Sequence, residues 1–176
     1  MKKRNVNRKL LFLALRYLFL LVIAIPHLWI FYAVFTPLTV YPVFFILNMF
    51  YSVSLDGVSL IIGNNIIKLV EACIAGSAYY LLLILNMTTP MKTEKRIKSV
   101  AFCFFSFLAM NIARIVVFSA LLLGSFSLFN LTHLVFWYFI SSLLVVFIWL
   151  SAVKLFKIKE IPAYDDLKFV YKLIKR

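Results

Sequence analysis

The stretch GVSLIIGNNIIKLVEACIAGSAYYLLLILN, Gly57 to Asn86, changes texture at its midpoint. Its first half sets β-branched residues on either side of Gly63, Asn64 and Asn65, the chemistry of a tight turn between two short strands. Its second half opens an apolar segment, 71–89, with the length and composition of a membrane span. A single helix through both halves is the competing reading, and Gly63 with two asparagines counts against it. The hairpin, 57–70, delivers the chain to Glu71 and Cys73, so a cysteine stands at the mouth of an apolar helix. Such a residue is either a packed small hydrophobe or a thiolate nucleophile held at a membrane surface.

Working outward, 65% of the 176 residues are hydrophobic and 14% are charged, which excludes an ordinary soluble globular domain. A net charge of +13 would point to nucleic acid in a soluble chain. Here the basic residues fall in three blocks that border apolar stretches instead of forming a groove, so no nucleic-acid partner is expected. The blocks, Lys2 to Lys9, Lys92 to Lys98 and Lys154 to Arg176, hold five, four and seven Lys or Arg. The positive-inside rule makes all three cytoplasmic.

The apolar runs predict spans at 10–35, 71–89, 99–123 and 132–153. Residues 1–9 form a cytoplasmic basic start. Residues 154–176 form a cytoplasmic basic tail resembling an interfacial amphipathic helix. The run 10–35 reads as an uncleaved signal anchor, kinked at Pro26, with Arg16 snorkelling near its inner end. Residues 36–56 fall short of a span and read as an outer-face or re-entrant segment. A crossing at 41–54 would invert every later span and set four basic residues outside. The expected fold is an all-α integral membrane protein with about four transmembrane helices, a short outer-face helix and a small extracellular β-hairpin. Both termini are expected in the cytoplasm.

Arg114 lies within 99–123, where a central arginine is disfavoured by about 2.5–3.5 kcal/mol on insertion scales. His133 opens the last span from outside, and Cys73 opens the second, where a helix N-terminus favours the thiolate. Taken singly, each has a plain reading: an arginine satisfied by carbonyls, an interfacial histidine, a packed cysteine. Together, the topology puts them at the outer ends of three helices that can pack as neighbours. Cysteine, arginine and histidine suit acyl transfer: the thiolate attacks a carbonyl, histidine moves the proton, and arginine stabilises the thiolate or the oxyanion. Asn111, one turn before Arg114, shares its helix face and can orient the guanidinium. Cys103, near the inner end of the same span, reads as packing. His27 is an accessory to the cavity or simply a polar neighbour of Pro26. The sequons at Asn86 and Asn130 read as chance matches. No metal-ligand cluster is apparent.

Glu71-Ala72-Cys73 with Gly76 at a helix start, Asn111-Ile112-Ala113-Arg114-Ile115 farther on, and a histidine at the outer end of the next helix resemble the exosortase and archaeosortase family. The likeness covers roughly 57–153. It implies a membrane-embedded cysteine peptidase and transpeptidase, a thiol protease of protein sorting that needs no cofactor and no metal. Cys73, Arg114 and His133 would be catalytic, with Glu71, Gly76 and Asn111 binding or orienting substrate. The implied partners are secreted proteins carrying a carboxy-terminal tripartite signal: a short motif, a hydrophobic span and a basic cluster. Cleavage at the outer face would pass the acyl group through a thioester to an amine, with a membrane lipid as the implied acceptor. Two other classes compete: a non-catalytic membrane scaffold, and an anion-transport subunit in which Arg114 binds the anion.

Overall fold

The computed structural model of the chain describes residues 3–25, 27–124 and 141–175. It opens with α1 (Lys3–Ala24) and α2 (Trp29–Asn48). The span expected over 10–35 is therefore two helices and not one kinked helix. His27 and Leu28 have φ of 47° and 58°, a left-handed link that ends one helix before the next begins. Ile25 precedes a proline and is steered away from helical backbone; Pro26 itself lies outside the described residues. The second helix continues through Pro37 and Pro42 to Asn48, so 36–48 is no separate outer-face or re-entrant segment. Each proline removes one helical hydrogen bond, a loss tolerated in helices packed in apolar surroundings.

Three short strands follow, β1 (Val53–Asp56), β2 (Ser59–Ile62) and β3 (Asn65–Lys68), as one antiparallel sheet in that order. Both turns are two residues long and place glycine first, with φ of 59° at Gly57 and 57° at Gly63. That position of a type II′ turn requires positive φ, which glycine adopts without strain. The expected hairpin is present, gains a third strand upstream, and turns on Gly63-Asn64, since Asn65 already pairs with Ile62.

The helices that follow are α3 (Glu71–Ile74), α4 (Gly76–Thr88), α5 (Thr93–Leu123), α6 (Ser141–Leu155) and α7 (Tyr164–Ile174). The third expected span thus starts inside the basic block instead of at Ser99. Aromatic packing sets the helix directions. Phe35 stacks on Tyr79 with ring centroids 3.6 Å apart, and Phe104 meets Phe31, Phe35 and Tyr79 edge-on. Farther along α2, Val43 and Leu47 pack in a second cluster with Leu60, Leu69 and Ile115, so α2 and α5 run parallel. Cys73 meets Asn111 while Asn86 meets Cys103, so α3 and α4 run antiparallel to α5. Ser141 meets Arg114 while Phe102 meets Phe156, so α6 is antiparallel as well.

One end of the bundle therefore carries the sheet and Cys73, and the other gathers Lys92, Lys95, Lys157 and Lys159. Trp29–Asn48, Glu71–Thr88 and Thr93–Leu123 are long and apolar enough to cross a membrane, consistent with a membrane protein. Large apolar side chains also face outward, among them Phe45, Phe105 and Phe147, a surface suited to lipid contact.

At Gly76, α4 packs tightly against α2: a Cβ there would lie 2.8 Å from the Tyr32 ring. Gly76→Ala is expected to lower stability by about 1–3 kcal/mol through overpacking. The loss should largely vanish in a Tyr32→Ala background, a double-mutant cycle readable by unfolding in detergent.

Candidate functional site

The cysteine owes its position to a break in the helix. The Leu69 N–H bonds the Val58 carbonyl at 3.0 Å, which holds the exit from β3 against the first turn of the sheet. Val70 is extended, and a single helical turn then carries Glu71 to Ile74. Ala75 takes left-handed backbone, with φ 59° and ψ 45°, and α4 starts afresh at Gly76. For a residue with a Cβ that conformation costs about 1–2 kcal/mol, so surrounding contacts must hold it. The expected setting of Cys73, the first turn of a long helix, is thus corrected: it sits on a four-residue turn cut off from α4. A short turn brings little macrodipole to bear on the sulfur.

Asn111 supplies the missing hold. Its side chain is buried, and its amide donates to the Cys73 carbonyl at 2.9 Å and the Ile74 carbonyl at 3.5 Å. These carbonyls end a helical turn and lack the partners that a continuing helix would supply. The role expected for Asn111 is corrected accordingly: it orients the cysteine-bearing backbone and not the guanidinium.

Arg114 follows one turn later on α5 and lines two cavities. The first, about 320 Å³, brings it together with Cys73, Lys68 and Ser119 among apolar side chains that include Val70 and Phe118. Two cationic side chains and a thiol thus share a space of the size that small ligands occupy, and no carboxylate lines it among the described residues. The second cavity, about 580 Å³, is lined by Glu71, Tyr32, Ser141 and Ser142 with Arg114. There the guanidinium donates to the Ser141 hydroxyl. Ser141 was not among the expected site residues; the only cue to it is a Ser-Ser pair inside an otherwise apolar run.

The remaining candidates divide. Glu71 is exposed at the start of the cysteine-bearing turn, facing the second cavity. Gly76 serves close packing against Tyr32. His133 and Asn130 lie outside the described residues. His27 is exposed in the link between the first two helices. Cys103 is fully buried beside the Asn86 amide, 3.7 Å from its sulfur, at the far end of α4 from Cys73. Among the described residues, no three His, Cys, Asp or Glu side chains gather where a metal ion would sit.

Asn111→Leu leaves two carbonyls without their donor and is expected to destabilise the protein by about 1–3 kcal/mol. Alkylation of Cys73 by a maleimide should accelerate in this variant as the turn loosens. An unchanged rate would show that the amide does not hold the turn. Comparison with protein-family models, curated proteins and solved structures finds no match.

Proposed function

We propose that this chain is a membrane-embedded thiol transferase of the exosortase and archaeosortase kind, working on the carboxy-terminal sorting signals of secreted proteins. The observation that carries the reading is the shared cavity of Cys73 and Arg114, residues forty-one positions apart on separate elements. A lone apolar cysteine has no need of a guanidinium, and an intramembrane arginine is functional by default.

In this reading the Cys73 thiolate attacks the carbonyl of the scissile peptide bond, forming a carbon–sulfur bond and a tetrahedral oxyanion beside Arg114. Collapse breaks the carbon–nitrogen bond, and His133 protonates the departing amine. A second amine, on a lipid, then attacks the thioester and gives up a proton to His133, forming a new amide and returning the thiolate. Arg114 contributes positive charge where the oxyanion develops. Its bond to Ser141 fixes the guanidinium before substrate arrives.

The topology that goes with this function has four crossings: α1 with α2 as one broken passage, then α3 with α4, α5, and a last one that includes α6. The lysine-rich end stays in the cytoplasm and the sheet lies outside. Support comes from the common end shared by Lys92, Lys95, Lys157 and Lys159, opposite Cys73. A substrate anchored by its own apolar span would present its motif at the cysteine end, with its basic cluster held inside.

The test is processing of a secreted reporter that carries a tripartite tail from the same proteome. Cys73→Ala and Cys73→Ser should each abolish it, and Arg114→Gln should slow it about 10²- to 10³-fold. Withholding the amine should let a hydroxylamine-labile thioester accumulate on Cys73. Full processing by Cys73→Ala would refute the reading and favour a scaffold or an anion pathway.

A further inference from the structure

The lysine-rich end holds a second charged site, unrelated to Cys73. A cavity of about 650 Å³ is lined by Phe12, Arg16 and Phe19 of α1, by Arg96 of α5, and by Asp166 and Phe169 of α7. The Arg16 guanidinium pairs with Asp166, which also accepts from the Tyr17 hydroxyl at 3.2 Å. Arg96 donates to the Thr89 carbonyl at 3.2 Å. Yet the Nε–H groups of both arginines are buried and have no partner among the described residues. Among the described residues, two guanidiniums therefore face one carboxylate, leaving an excess positive charge and two unused donors. Buried charged donors are rarely left unpaired, and each exception calls for an explanation.

We propose that this cavity binds the phosphate of an anionic phospholipid. Phosphate is the anion whose oxygens match several guanidinium donors at once. The wall of α1 argues for a lipid over free phosphate: Phe12 and Phe19 line the same cavity and are 60% and 50% exposed, offering an apolar track for acyl chains beside the cationic head site. Asp166 sets the charge balance among the described residues: with one carboxylate against two guanidiniums, these side chains neutralise a single negative charge. Phosphatidylglycerol fits that balance; phosphatidylcholine would bring a cation back toward the arginines. The amphipathic α7 contributes Asp166 and Phe169, and so closes the site from the interfacial side.

The full-length protein in detergent, titrated with phosphatidylglycerol or phosphatidylcholine and read by native mass spectrometry, tests this directly. Wild type should retain phosphatidylglycerol in preference to phosphatidylcholine. Arg96→Gln should weaken phosphatidylglycerol binding about tenfold and leave phosphatidylcholine binding unchanged. Lys95→Gln, an equal loss of charge at an exposed neighbour, should change neither. If Arg96→Gln does not fold, Arg96→Lys keeps the charge without the planar fork and should still weaken phosphatidylglycerol binding severalfold. Equal lipid affinities in wild type, equal losses in Arg96→Gln and Lys95→Gln, or displacement of the lipid by inorganic phosphate would each overturn the proposal.

Discussion

The side-chain amide of Asn111 ties the turn that bears Cys73 to the helix that bears Arg114. Without it, the last carbonyls of a four-residue turn would lie in apolar surroundings with no donor, and the chain would do better to run on as one helix into α4. With it, the turn can stop at Ala75, accept left-handed backbone and set its sulfur over the same cavity as the guanidinium. The turn that carries the thiol and ends where α4 begins is thereby fastened to the helix of Arg114 through two of its carbonyls.

Around this clamp, two kinds of packing divide the work. The aromatic cluster of Phe31, Phe35, Tyr79 and Phe104 fixes how α2, α4 and α5 pass one another. The aliphatic cluster of Val43, Leu47, Leu60 and Ile115 seats the sheet on the cysteine-bearing end. Because α4 is held at Gly76 against Tyr32, little freedom is left for the break at Ala75 to move along the bundle. At the other end, α7 is tied back by its Asp166 pair with Arg16 and by the Ala163 N–H to the Thr88 carbonyl. Charge thus separates the two ends: basic side chains crowd one, and a thiol with isolated cations lines the other.

Much of this was legible in the chain. Glycine at the head of a two-residue turn, apolar runs of spanning length, and an arginine within one of them are signals that local chemistry writes directly into sequence. The hairpin around Gly63 and the meeting of Cys73 with Arg114 were reached from such signals. The break at Ala75 was not, because alanine gives no hint of positive φ, and the Asn111 amide that holds the two preceding carbonyls comes from another helix. Pro26 marks a bend within 10–35, but an apolar run reads alike whether the chain kinks inside one helix or leaves the helical region at His27 and Leu28 to begin a second. Continuation of α2 through Pro37 and Pro42 went the other way: local preference predicted an interruption, and packing on α5 overrode it. The pairing of Arg16 with Asp166 joins residues 150 positions apart, and no periodicity reports such a contact.

The Cys73 sulfur and the position-114 side chain face one cavity from separate elements. Cross-linking of Cys73 to Arg114→Cys by a short bifunctional methanethiosulfonate, with Cys103→Ala to remove the other thiol, measures that proximity. Efficient intramolecular cross-linking, lost when Asn111→Leu is added, is the predicted result. Two thiols that are each labelled readily yet never joined would contradict it.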